Sequence, residues 1–229
     1  MESYFKFSLV LQYLPKLLSR LHITLLIVLL ATVIGLILGI ILALFRLYKI
    51  PVLNEFAIAY ISFVRGTPIL VQMFIVYYGL PLLLMNIGID INRWDKLYFV
   101  IITYGLNAAA FKAEIVRSAI KSVPIGQAEA AYSVGMTRLQ TFFRIIAPQA
   151  VLIVLPNLGT TIVGLLQDTS LAFTLGIVDV MGKVNAIAAA SYRSLEGYVA
   201  AAIIFLALAI LLEKGFSAIE KRLYVNNHV

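Results

Sequence analysis

Side chains capable of covalent or metal chemistry are scarce in this sequence. It contains no cysteine and only two histidines, His22 and His228, so it offers no thiol nucleophile and no histidine cluster for a metal ion. The phosphate-binding pattern G-x4-G-K-[ST] is absent as well, so any ATP would have to be hydrolysed by another chain. We therefore expect a protein that is not an enzyme, with no catalytic residue, no metal site and no cofactor bound by this chain.

Four polar residues lie inside long apolar stretches, where they could contact a small molecule: Gln72, Asn107, Thr160 and Thr161. Polar groups are costly in apolar surroundings unless they have a partner. We expect these four to line a substrate cavity. For Asn107, a hydrogen bond to a neighbouring helix is an equal alternative. Asp168 is expected to cap a helix, although near an outer opening it could attract the ammonium group of a substrate.

A pair of opposite charges is expected on one helix face. Glu114 and Arg117 are three residues apart, which places their side chains next to each other on a helix. A structural ion pair is the favoured interpretation. Because charges inside a membrane are often functional, a gate is the alternative.

The composition indicates that the lipid bilayer surrounds most of the chain. Hydrophobic residues make up 62% of the sequence and charged residues 13%, and the mean hydropathy is +0.99. A soluble domain carries about 25% charged residues. The net charge of +7 is better explained by basic loops at a cytoplasmic membrane surface than by nucleic acid.

Apolar runs of spanning length predict an all-α membrane protein with five transmembrane helices, at about 22–45, 68–84, 97–120, 149–167 and 198–213. Residues 1–20 are amphipathic and predict an interfacial helix. Residues 21–217 would form the transmembrane domain, and 218–229 a short tail.

Two of the predicted spans contain helix-breaking residues. Gly66 and Pro68 should divide the apolar run 52–84 into a short first piece and a second span, because one helix of that length would exceed the bilayer core. Pro156 and Gly159 predict an interruption in the fourth span.

Lysine and arginine are distributed unevenly between the two sides of the membrane. The segments 46–67, 112–148 and 213–229 hold more of them than 1–22, 85–97 and 168–196. By the positive-inside rule the first set is cytoplasmic. The N-terminus is then outside and the C-terminus is in the cytoplasm.

The polar loop 121–147 is predicted to form two short helices on the cytoplasmic surface. Pro124 suits the start of the first, and Gly135 can adopt the left-handed conformation that ends it. Thr137 and Gln140 form the pattern of a capping box for the second. Glu129 offers a carboxylate to a basic residue across an interface.

This loop resembles the element by which membrane subunits of ABC importers contact their ATPases. Glu129-Ala130-Ala131, Gly135, Ile145 and Pro148 follow EAA-x3-G-x9-I-x-L-P, except that Ala147 replaces the leucine. Further segments resemble the polar amino acid uptake permeases, which include histidine, glutamine, arginine and cystine importers: Arg65-Gly66-Thr67-Pro68 with Gln72, Glu114 with Arg117, Val123-Pro124 with Gly126-Gln127, and Gln167-Asp168-Thr169-Ser170-Leu171.

The resemblance implies the permease fold of type I ABC importers, in a bacterial cytoplasmic membrane. It implies uptake of a polar amino acid, powered by two cytoplasmic subunits that bind ATP and Mg, with an external solute-binding protein. A second permease chain, identical or paralogous, would complete the path. The residues implied in ATPase coupling are Gly126, Glu129, Ala130, Ala131, Gly135 and Arg138.

Two alternative functions have less support in the sequence. A self-sufficient secondary amino acid transporter would often show inverted repeats with paired broken helices, and no convincing repeat is visible. An intramembrane enzyme would need a nucleophile with its base, or metal ligands, at membrane depth.

Overall fold

The computed structural model describes residues 5–227, with side chains up to residue 223. The first four residues of the predicted interfacial segment and the last two of the predicted tail, including His228, lie outside this part of the chain. Within it all regular structure is helical, in the order α1 Phe7–Leu18, α2 Leu21–Leu47, α3 Leu53–Gly66, α4 Ile69–Met85, α5 Lys96–Ser122, α6 Ile125–Ser133, α7 Arg138–Thr141, α8 Ala147–Asp168, α9 Val180–Ser191 and α10 Ser194–Asn227.

Membrane-spanning length is reached by four helical stretches in the described residues. These are α2, α5, a continuous helical stretch from Arg138 to Leu175 that contains α7 and α8, and α10 from Ser194 to Leu223. The fifth predicted span corresponds to α3 and α4 together, which are bent by 117° at their junction. The all-α fold with five spans and a short N-terminal helix is confirmed. Helix α10 continues through most of the predicted tail.

The bend between α3 and α4 is held by one side chain. Pro68 lies in an extended conformation directly before α4, and a proline there has no amide donor to continue the helix of the preceding residues. The Gln72 amide nitrogen donates to the Val64 carbonyl at 2.7 Å, the Thr67 carbonyl at 3.0 Å and the Thr67 hydroxyl at 2.9 Å. The break predicted at Gly66 and Pro68 is therefore confirmed, and Gln72 braces it.

The predicted interruption of the fourth span is wrong. Helix α8 runs from Ala147 to Asp168 through Pro156 without a break. Within a membrane bundle, side chains and neighbouring helices can satisfy the backbone groups that a proline frees, so the helix can continue past Pro156. Gly159 serves as a contact point, since a Cβ there would lie 3.0 Å from the Phe216 ring of α10.

Helices α2 and α5 form the closest packing in the protein, along small residues. A Cβ added to Gly35 would lie 2.6 Å from Cβ of Ala108, and one added to Gly39 would lie 3.0 Å from Cβ of Lys112. Small residues allow such approach of two backbones in a membrane. These glycines of α2 therefore pack against α5 inside one subunit.

Gly35→Ala is expected to destabilise the bundle by about 1–3 kcal/mol, because the new methyl group forces α2 and α5 apart. The matched control is Gly79→Ala in α4, where an added Cβ meets nothing within 4 Å. Thermal unfolding of both variants in detergent checks this. Equal unfolding temperatures for the two variants would contradict the packing argument.

The N-terminal helix α1 is attached to the bundle along one face. Val10, Tyr13 and Leu17 are buried against α9 and α10, and the Lys6 amide donates to Oε1 of Glu196 at 3.1 Å. The opposite face exposes apolar side chains, including Phe7 and Leu11. This two-sided pattern suits a helix at the membrane interface.

Candidate functional site

The predicted surface loop is a helix–glycine–helix element. Helix α6 ends at Ser133 and is followed by Gly135, which has φ +82°. The Gly135 and Met136 amides close the turn on the Tyr132 and Ala131 carbonyls. Thr137 then caps α7 with the complete capping box. The Gln140 amide donates to the Thr137 hydroxyl at 3.3 Å, and the Thr137 amide donates to Oε1 of Gln140 at 2.8 Å. The predicted glycine stop and cap are confirmed.

The second helix of this element is joined to the fourth span. Helix α7 continues through one π-helical turn, Phe142–Ile146, directly into α8. Such turns are often found at functional sites. The sequence predicted a separate short helix with the span beginning near Pro148, whereas the structure has one continuous helical rod. The loop and the fourth span therefore share one continuous helix.

The element presents an accessible face with both apolar and charged groups. Ile125, Val134, Leu139 and Phe143 are between 67% and 78% exposed. Of the predicted coupling residues, five are exposed and Ala131 is buried: Gly126, Glu129, Ala130, Gly135 and Arg138 are the exposed ones. Exposed apolar side chains rimmed by polar ones are typical of a protein interface.

The predicted ion pair is present and has a third member. The Arg117 guanidinium donates to Oε2 of Glu114 at 2.7 Å, and Arg46 of α2 also pairs with Glu114. The sequence did not indicate Arg46, because a contact between two spans depends on their packing. The Glu114 carboxylate thus joins α2 to α5. This contact supports the interpretation as a structural ion pair over the interpretation as a gate.

A cavity of about 200 Å³ lies between α5 and α8. Its lining comes from two short stretches of these helices: Asn107, Ala108, Phe111, Lys112, Thr161, Gly164, Leu165 and Asp168. The α8 residues follow the spacing of one helix face. Two of the four predicted substrate contacts, Asn107 and Thr161, are therefore brought together here.

The other two predicted substrate contacts have different surroundings. Gln72 is buried behind the cavity, where its Oε1 accepts from the Asn107 amide at 3.0 Å. Thr160 is exposed, and its hydroxyl donates to the Pro156 carbonyl at 3.3 Å. Neither residue lines the cavity. Their contact with a substrate stays a prediction.

Two charged residues of the cavity were missed or misassigned from the sequence. Lys112 is 1% exposed, and the signal that could have revealed it is a lysine within the small-residue run of the third span. Asp168 was expected to cap a helix, but its side chain forms no capping hydrogen bond. Its backbone carbonyl accepts from the Tyr104 hydroxyl at 2.6 Å, and the residue lines the cavity.

Comparison with known proteins assigns this architecture to a family. Residues 35–224 match the family model described as binding-protein-dependent transport system inner membrane component, and the chain belongs to this family.

Several relatives are similar over most of their length. The chain is 45% identical to the L-cystine transport system permease protein TcyL of Bacillus subtilis (strain 168), covering 99% of this chain and 95% of that protein. It is 40% identical to the probable amino-acid ABC transporter permease protein PatM of Vibrio harveyi, covering 92% of each.

A solved structure shares the fold. The crystal structure of an amino acid ABC transporter with histidines matches with a TM-score of 0.84 at 32% identity, covering 95% of this chain and 99% of that one. The protein is therefore the multi-pass membrane permease subunit of an ABC importer for amino acids. It is not itself an enzyme, since ATP hydrolysis in this class is performed by a partner subunit.

Proposed function

We propose that this chain moves a polar amino acid through the cavity between α5 and α8. The transport is driven by ATP hydrolysis in a partner that binds the α6–α7 element, residues 125–141. One observation carries this proposal. The helical rod that begins at Arg138 in the exposed element also supplies Thr161, Gly164, Leu165 and Asp168 to the cavity. Arg138 and Thr161 are about 35 Å apart along it.

The partner at the cytoplasmic face is proposed to be an ATPase that binds ATP and Mg. Leu139 and Ile125 supply apolar contact, Glu129 and Arg138 supply charge, and the glycine turn allows close approach. Two such ATPases would serve an assembly of two permease chains, identical or paralogous. An external solute-binding protein would deliver the amino acid.

The proposed orientation in the bacterial cytoplasmic membrane places the N-terminus outside and the C-terminus inside. The excess of basic residues around the α6–α7 element and at the end of α10 supports it. In this orientation the exposed element faces the ATP pool of the cell, as the proposed coupling requires.

Candidate substrates are cystine, glutamine, histidine and arginine. The 45% identity to the L-cystine permease over 99% of the chain favours cystine. An amino acid has an ammonium and a carboxylate group, and the cavity contains both a carboxylate and an amine-bearing side chain to receive them.

Thr161→Val is expected to lower substrate-stimulated ATPase activity of the assembled importer about tenfold. The Thr161 hydroxyl donates to the Leu158 carbonyl at 2.9 Å, and its oxygen can still accept a hydrogen bond from a substrate in the cavity, which valine of the same shape cannot do. The matched control is the adjacent Thr160→Val, which changes a side chain outside the cavity. The assay compares stimulation at saturating binding protein and L-cystine. Equal effects of the two substitutions would argue against this cavity as the substrate path.

A further inference from the structure

Lys112 is a buried lysine whose amine has no visible partner. The residue is 1% exposed and lies on α5 at membrane depth. In the part of the chain that the structure describes, its amine forms no hydrogen bond and no ion pair. Charged groups in such places are expensive and commonly face a cavity or a substrate path.

Lys112 lies between the α2–α5 contact and the cavity. Its Cβ lies against Gly39 of α2, where a glycine Cβ would come within 3.0 Å. The base of the side chain is thus held in the α2–α5 contact, and the residue lines the cavity between α5 and α8. A lysine buries its stem along apolar surface while its charged end reaches a polar space, which here is the cavity.

Asp168 lines the same cavity but does not neutralise Lys112. No ion pair joins the two among the described side chains. The Asp168 backbone is anchored at the level of Tyr104, and Lys112 lies about two helical turns further along α5. The cavity therefore contains a negative and a positive group that are separated along its length.

We propose that Lys112 selects substrates by charge: it receives the carboxylate of a zwitterionic amino acid and excludes amino acids with a cationic side chain. This inference rests on the proposed function of the cavity and specifies its substrate class. A second positive charge next to the Lys112 ammonium would be repelled in a site with little water, which lowers affinity on the order of tenfold or more. Cystine and glutamine fit this class, and arginine does not.

The test uses L-arginine and L-citrulline, which have nearly the same shape and differ in side-chain charge. Equilibrium binding of each radiolabelled compound is measured on the intact importer complex in lipid nanodiscs, without the solute-binding protein. The wild-type complex should bind L-citrulline at least about tenfold more tightly than L-arginine. Lys112→Gln, which keeps a hydrogen-bond donor, should bring the ratio close to one, and Lys112→Arg should retain the preference.

A wild-type ratio near one, or an unchanged ratio in Lys112→Gln, would overturn the selection by charge. Equal weakening of both ligands in Lys112→Gln, with an intact complex, belongs to this second outcome, since the amine would then anchor the carboxylate without selecting by charge. Asn107→Ala and Thr161→Val distinguish a wrong role for Lys112 from a cavity that does not bind substrate at all. If both leave L-citrulline binding unchanged, the cavity does not hold substrate, whereas weaker binding with an unchanged ratio refutes the role of Lys112 alone.

Discussion

Gly135→Val is expected to abolish ATP-driven uptake while the permease still inserts into the membrane. Gly135 has φ +82°, a conformation that costs an ordinary residue about 1–2 kcal/mol and a β-branched residue more. An added Cβ would meet nothing within 4 Å, so the effect comes from the backbone and not from a clash. The turn would open and α6 would lose its position relative to α7. Uptake and co-purification of the ATPase are the measurements.

Gly135→Asn is the matched control, because asparagine tolerates the left-handed conformation better than other side chains. It should retain most of the uptake and all of the ATPase association. Wild-type uptake and ATPase association in Gly135→Val would show that the loop is an ordinary connector.

Gln72→Leu should destabilise the protein by about 2–5 kcal/mol, the second large effect we expect. The substitution leaves the Val64 and Thr67 carbonyls and the Asn107 amide without their partner, and each unpaired buried group costs about 1–3 kcal/mol. The 117° bend between α3 and α4 would lose its brace. Thermal unfolding in detergent and the yield of assembled complex measure the effect.

Thr67→Val provides the comparison, since it removes the Thr67 hydroxyl, which accepts from Gln72 and donates to the Phe63 carbonyl, and leaves the two carbonyl contacts of Gln72 intact. It should cost clearly less than Gln72→Leu. Equal losses in the two variants would mean that the polar brace does not hold the bend.

Local signals in the sequence were sufficient to predict the membrane spans and the helix–glycine–helix loop. The apolar run lengths, the Pro68 break, the Gly135 stop and the Thr137 cap each depend on neighbouring residues only, and all four are present. Pro156 led to a wrong prediction because a local signal ignores the packing of the surrounding helices. A proline breaks an isolated helix, but in a packed membrane bundle the helix continues.

The composition of the cavity could be predicted only in part, because it depends on how α5 and α8 pack. Polar type alone selected Gln72 and Thr160 together with Asn107 and Thr161. Thr161 lines the cavity while the adjacent Thr160 does not, and Gln72 of α4 contacts Asn107 without reaching the cavity. Lys112 was counted among cytoplasmic charges in the sequence, since its burial depends on the contact with Gly39.

Reconstituted uptake tests the central claim most directly. The chain is placed in liposomes with and without its ATPase, in the presence of the solute-binding protein, and accumulation of labelled L-cystine is followed with ATP on the ATPase side. We predict accumulation only when the ATPase and hydrolysable ATP are both present. Accumulation by this chain alone, driven by a proton or sodium gradient, would contradict the account and identify a self-sufficient secondary transporter.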